Sequence, residues 1–183
     1  MLYKKLKRVV NKLRGETDIE ALVARGLTIG KNYKILHGCI IDYSHCWHIT
    51  IGDDVTLAPR VHILAHDAST KNYINYTKIA NVKIGNNVFI GAGSIILPGV
   101  TIGNDVIIGA GSIVSKDIPD NSLAVGNPAK VISSTSDYME KQKEKMNDEN
   151  CFDESYTLRG NVTDSKKQQM KDITEKHKQS FVI

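Results

Sequence analysis

No run of 18 apolar residues occurs in this 183-residue chain, only three cysteines are present, and the charge imbalance is slight. The first absence leaves no candidate for a membrane-spanning helix. Cys39, Cys46 and Cys151 are odd in number and have no CxxC spacing, which favours reduced thiols in a cytoplasmic protein over a disulfide framework. The 24 Lys and Arg against 20 Asp and Glu give a formal charge of +4, too small to argue for a nucleic-acid partner. The opening MLYKKLKRVVNKLRG is basic but lacks an uninterrupted apolar stretch, so it is not expected to act as a secretory signal.

Glycine and charge are unevenly spread. Residues 26–132 hold 12 of the 14 glycines and only 15 charged residues, eight basic and seven acidic. A compact, turn-rich centre between two polar ends follows, with boundaries at 1–26, 27–132 and 133–183. Within that centre IGAGSI occurs at 90–95 and again at 108–113, 18 positions later. From residue 84 onward an aliphatic residue recurs every six positions: Ile84, Ile90, Ile96, Ile102, Ile108 and Val114. Four residues after each comes Val88, Ser94, Val100, Val106, Ser112 or Ile118. Ile51, Leu57 and Ile63 repeat the pattern, and Ile29, Ile35 and Ile41 carry a weaker version. Six is not a helical period. It fits a short strand that points one aliphatic inward and then turns where a small residue tolerates the geometry. Three such edges close a triangle, so 18 residues make one coil, and about five coils are expected.

Two look-alikes carry nothing. Gly91-Ala-Gly93 and Gly109-Ala-Gly111 lack the third glycine of a dinucleotide fingerprint, and no long helix fits within six residues. Gly26 to Lys31 falls one residue short of a phosphate loop. The interruptions say more. Ile41 to Ile51 spans ten residues and Ile63 to Ile84 spans 21, and the second break reads as a surface loop at about 65–82. Five of the six histidines, His37, His45, His48, His62 and His66, lie near these breaks. His66 stands where the repeat stops and is followed by Asp67.

The [LIV]-G-x-x-V-x hexads resemble the hexapeptide-repeat family. Over residues 20–132 the series IGDDVTLAP, LAPRVHILAHDAST, IGNNVFIGAGSIILPGVTIG, IGAGSIVSKDIP and GNPAKVI resembles its sugar (maltose and galactoside) and xenobiotic O-acetyltransferases. That resemblance implies an all-β core, a left-handed parallel β-helix, and a homotrimer with active sites between subunits. It also implies acetyl-CoA as co-substrate, no required metal, and a sugar or oligosaccharide acceptor in polysaccharide assembly.

By the same resemblance His66 is the catalytic histidine. A neutral imidazole beside a weakly nucleophilic hydroxyl can take its proton during attack on a thioester, a contribution of about 10²–10⁴-fold. Asp67 is a candidate for orienting that ring. The Ala92 amide is the expected oxyanion donor. Coenzyme A contacts are expected at Phe89, Ala92, Ala110, Ser115, Lys116, Pro128 and Lys130, with the two lysines toward phosphates and Pro128 toward adenine. Acceptor walls are expected from His37, Asp42, Trp47 and Tyr73, while His45, His48 and His62 read as structural or interfacial.

Three other readings remain: an N-acetyltransferase on an amino-sugar nucleotide, a zinc hydratase built from histidines including His62 and His66, and a non-catalytic scaffold. At the ends, residues 2–14 carry an apolar stripe with flanking lysines. It would either cover the open end of the β-helix or touch an anionic membrane at the inner face. Thr17-Asp-Ile-Glu20 reads as a capping box opening a short helix. Residues 137–147 and 163–178 are polar and helix-capable, the second with Thr163 placed to cap.

Overall fold

The computed structural model describes residues 17–183, which fall into two compact units divided after Ser136. The amphipathic stretch at 2–14 lies outside the described residues.

The first unit opens with helix α1 (Ile19–Val23). Its cap is Asp18, whose carboxylate accepts the Ala21 amide at 3.1 Å. The capping-box pattern had pointed to Thr17, but that hydroxyl donates to the Cys39 carbonyl and so is spent on the first coil. Strands of two or three residues then follow in threes: β1 (Thr28–Ile29), β2 (Lys34–Ile35), β3 (Ile40–Ile41); β4 (Ile49–Ile51), β5 (Thr56–Leu57), β6 (His62–Ile63). After an excursion containing β7 (His66–Asp67), α2 (Lys71–Ile74) and β8 (Lys78–Ile79), the triplets resume. They are β9 (Val82–Ile84), β10 (Phe89–Ile90), β11 (Ile95–Ile96) and β12 (Thr101–Ile102), β13 (Ile107–Ile108), β14 (Ile113–Val114). A partial turn ends with β15 (Ser122–Val125) and β16 (Lys130–Ser134).

Every third strand pairs in parallel with its equivalent one coil away. The first sheet runs β1-β4-β9-β12, the second β2-β5-β10-β13-β15, and the third β3-β6-β11-β14. Register stacks like on like: Ile35, Leu57, Ile90 and Ile108 form one column. Ile41, Ile63, Ile96 and Val114 form another. Four full coils and a partial fifth therefore build a three-sided parallel β-helix. β16 runs antiparallel to β15 and closes the end of the second sheet, and within the excursion β7 and β8 also pair antiparallel.

The inward aliphatics supply the core. Ile49, Ile63, Ile90, Ile96 and Ile108 are fully buried. Each such side chain contributes about 1.5–3 kcal/mol by leaving water. The three kinds of corner turn by different means. At the first corner, between the first and second sheets, Asn32, Asp54, Asn87 and Asp105 take positive φ, which short polar side chains tolerate. Asn104 Oδ1 there accepts the Asn86 amide at 2.9 Å, and Asn86 Oδ1 accepts the Asp53 amide at 2.8 Å, tying coil to coil. At the second corner Gly38, Arg60, Gly93 and Gly111 take positive φ. The third corner, between one coil's third sheet and the next coil's first, holds the insertions.

The second unit, taken by itself, has no repeat. Helix α3 (Thr135–Lys143) leads into it, followed by β17 (Cys151–Phe152), α4 (Asp164–His177) and β18 (Phe181–Val182). Thr163 caps α4, and β17 pairs in parallel with β18. Phe152 is buried against the Tyr156 ring, centroids 4.8 Å apart.

Candidate active site

Both long breaks in the six-residue period fall on the third corner, in successive coils. The first occupies residues 42–48 after β3, and the second begins at Leu64 after β6. Because β3 and β6 pair Ile41 with Ile63, the two insertions leave the β-helix one above the other. This stacking assembles the site.

Asp42 sits at its centre and is only 3% exposed. One carboxylate oxygen accepts the backbone amides of Ser44 (3.1 Å) and His45 (3.2 Å). The other accepts the Ala65 amide (3.0 Å) and pairs with His66 Nδ1. Burial pushes the Asp42 carboxyl pKa up more than any single contact pulls it down. The hydrogen bonds from His66, Ala65 and His45 and the His66 charge together outweigh burial, leaving it below its ordinary value. Asp42 therefore stays an anion, held from four sides. Its hold on Nδ1 places the ring's hydrogen on that nitrogen and leaves the Nε2 lone pair free, with about a third of the His66 side chain open to solvent.

Asp67 does not hold this ring. Consecutive residues of β7 face opposite ways, and Asp67 turns to Lys78 across the β7–β8 pairing, Oδ2 to Nζ 2.7 Å. The Lys78 hydrogen bond keeps its carboxyl well below the usual range. It also caps the following 3-10 turn by accepting the Ser69 amide at 2.9 Å. Its work is to close the excursion, and Asp42 takes the orienting place.

The other expected acceptor residues divide. Trp47 is near, in a row of rings: His66 to His45 4.9 Å, His45 to Trp47 5.4 Å, centroid to centroid. It is 53% exposed. Tyr73, on α2, is 88% exposed. His37 lies on the second corner, between β2 and β3, beside Thr17, Tyr33 and Leu36, and is not brought to His66 within one chain. His45, read from sequence as structural or interfacial, is also brought to this corner. Its ring packs on His66, and its Nδ1 is buried without a partner among the described residues. The signal was available: His45 lies in the break that precedes, on the same edge, the break carrying His66. His62 faces outward on β6, and His48 Nδ1 bonds Asn81 Oδ1 at 2.7 Å.

The candidate coenzyme residues form their own lines. Phe89 stands outward on the second sheet, pairing with Ile107. Ala92 and Ala110 follow on the second corner of successive coils, joined by the Gly111 amide donating to the Ala92 carbonyl at 2.8 Å. Gly91 and Gly93 donate to the carbonyls of Ile108 (2.8 Å) and Pro59 (2.9 Å), whereas the Ala92 amide donates to no described residue. Pro128 follows a cis peptide bond in the β15–β16 turn, and Lys130 opens β16. Ser115 and Lys116 belong instead to the third corner, two coils beyond His66, an axial offset of about 10 Å at the usual strand spacing.

Comparison with known proteins agrees with this architecture. Residues 81–116 match the family described as bacterial transferase hexapeptide (six repeats). Protein CapG of Staphylococcus aureus is 53% identical over 97 residues, covering 51% of this chain and 56% of that protein. The solved maltose O-acetyltransferase of Clostridium difficile 630 is 46% identical with a TM-score of 0.53, covering 60% of this chain and 59% of that one. A galactoside acetyltransferase solved in complex with coenzyme A is 34% identical with a TM-score of 0.51, covering 62% of this chain and 67% of that one. The chain spans little more than half the length of the curated relatives it matches.

Proposed function

The chain belongs to the hexapeptide-repeat transferases, and from that membership we propose that it is an acetyl-CoA-dependent O-acetyltransferase. Its acceptor is a hydroxyl of a sugar or polysaccharide precursor, it works in the cytoplasm, and its β-helix winds left-handed as its family's does. The observation that carries the reading is the Asp42–His66 pair, a buried carboxylate fixing the tautomer of a partly open imidazole.

His66 Nε2 takes the acceptor's proton as the hydroxyl oxygen attacks the thioester carbonyl. Asp42 stabilises the imidazolium so formed and keeps Nδ1–H pointed at itself. The Ala92 amide receives the oxyanion, a fixed donor needing no reorganisation. The C–S bond then breaks, and His66 returns the proton to the departing sulfur. Phe89, Ala92, Ala110, Pro128 and Lys130 line the approach of the thioester arm, and Trp47 walls the acceptor.

The two halves of this machinery sit on different corners. A prism edge of five or six residues at about 3.3 Å each separates them by roughly 16–20 Å, while proton transfer requires about 3 Å. A second copy that brings its second corner to the first copy's third corner would join the halves, and threefold closure of that heterologous contact gives the trimer that the family resemblance implies. Lys116, on the His66 side, then faces the partner's coenzyme.

Release of free thiol from acetyl-CoA in the presence of candidate glycans tests the reaction, and NMR of the product separates ester from amide. His66→Ala should lower kcat by about 10²–10⁴-fold while calorimetric coenzyme A affinity and sedimentation stay those of wild type. Wild-type kcat in that variant overturns the assignment.

A further inference from the structure

We propose that Asp42, His45 and His66 form a binding site for a divalent transition-metal ion of the zinc type, and that occupation of this site withholds His66 from proton transfer. One ligand atom from each of the three residues lies within 4.8 Å of the others. A tetrahedral zinc site, with ligand bonds near 2.1 Å, sets its donors about 3.3 Å apart. The widest pair of the set therefore needs to contract by about 1.5 Å at most, and the Asp42–His66 pair, in direct hydrogen-bond contact, needs to open by a smaller amount, both within the reach of side-chain rotation. Two imidazoles and one carboxylate suit borderline metals such as zinc or cobalt rather than magnesium or calcium, which prefer an all-oxygen shell.

A second observation points to the same occupant. His45 Nδ1 is buried and has no hydrogen-bond partner among the described residues, a condition that buried polar atoms rarely keep. The ring cannot easily turn away, because it is packed between the His66 and Trp47 rings at 4.9 and 5.4 Å. Its own backbone amide is tied to Asp42. Asp42 is oriented by three backbone amides, the kind of outer support that holds a ligating carboxylate in place. The open third of His66 leaves room for water as a fourth ligand. His62 and His48 take no part, being turned outward and bonded to Asn81 respectively.

The consequence for the reaction follows from the ring's hydrogen count. A neutral imidazole carries one hydrogen. When a cation takes the place of the hydrogen between His66 Nδ1 and Asp42, that hydrogen moves to Nε2, and the ring releases no proton. Nε2 then has no lone pair for an acceptor hydroxyl. The metal is thus an inhibitor that leaves the coenzyme corner untouched. This half rests on the role proposed for His66 above; the binding half does not.

The test uses the full chain freed of metal with a chelator. Titration with zinc chloride by calorimetry, and with Co²⁺ by visible absorption, should show one saturable equivalent per chain with the spectrum of a four-coordinate ion. His45→Phe keeps the ring stack and should weaken this equivalent by about tenfold or more, with His45→Gln as a second variant and coenzyme A affinity reporting that each is folded. In acetyl transfer, zinc should inhibit wild type reversibly on chelation, and the inhibition midpoint should move by the same factor in the variants. Absence of a saturable equivalent, unaltered affinity in both variants, or higher turnover with zinc than without each overturns the proposal. If the metal-free chain transfers no acetyl group to any acceptor, the calorimetric and Co²⁺ titrations still decide the site, so the two failures are distinct.

Discussion

Asp42→Asn changes one atom of the dyad and leaves its volume alone. The amide must choose between two orientations. With its oxygen toward Ser44 and His45, both of those backbone donors keep an acceptor, and the NH2 faces the Ala65 amide and His66 Nδ1. One buried backbone donor is then orphaned, at about 1–3 kcal/mol, and Nδ1 becomes an acceptor, which moves the ring hydrogen to Nε2 and removes the lone pair of the proposed base. In the flipped orientation His66 keeps its working tautomer, but two donors, Ser44 and His45, lose their acceptor. The working state is therefore disfavoured by one extra orphan, about 1–3 kcal/mol, which predicts a loss of about 5- to 150-fold from tautomer bias alone. Loss of the anion opposite the imidazolium adds to this, and the ceiling is the whole contribution of the base, about 10²–10⁴-fold. The orphaned donor should also lower Tm, at about 2–4 °C per kcal/mol for a chain of this size. Initial rates of thiol release give kcat, and calorimetry gives coenzyme A affinity, expected unchanged. A variant with kcat within about fivefold of wild type would refute the claim that Asp42 sets the tautomer.

Asp67→Asn should leave kcat within about threefold of wild type, because its partner is the exposed Lys78 and such pairs contribute little; a loss approaching that of Asp42→Asn in the same thiol assay contradicts the division of roles. Two glycine substitutions on successive edges should differ sharply. A Cβ at Gly85 would lie 2.6 Å from the Gly103 carbonyl oxygen, backbone against backbone, so Gly85→Ala should prevent coils from stacking and leave little folded protein by circular dichroism. At Gly93 nothing lies within 4 Å and only the positive φ opposes a side chain, so Gly93→Ala should cost about 1–2 kcal/mol and retain the fold. In the second unit, hydrogen bonds from Lys176 and His177 hold the Glu149 carboxyl below its usual value. Its contribution is therefore present above about pH 4.3 and is lost as pH falls through the folded value. Amide exchange across α4 should accelerate only on that acid side, and less so in high salt.

The inward column of the β-helix is legible in the sequence because each edge has room for one large side chain, so Ile90 and Ile108 must recur at a fixed distance and must meet. The edges of the site are legible for the same reason, as lengths that do not fit the period. The pairing at the centre was harder to see. Asp67 is one residue from His66 and cannot reach its ring, whereas Asp42 is 24 residues away and does. In a strand, sequence neighbours diverge; in a coil, residues on one corner converge whatever lies between them. Adjacency in sequence points to Asp67, and only the distance across coils brings in His45. The second unit offered neither cue: with no period to fold upon itself, its β17–β18 pairing joins residues about 30 apart that nothing in their local pattern connects. Reading a periodic protein for chemistry therefore requires wrapping the chain before looking for partners. Ile41 and Ile63 end the same edge in successive coils, so every polar residue between Asp42 and His48 belongs to the neighbourhood of whatever follows Ile63. Wrapped in that way, an anion, two imidazoles and an indole gather on one corner from two short, unrelated-looking stretches. That convergence of side chains, more than the histidine alone, is what distinguishes this corner of the prism from the other two.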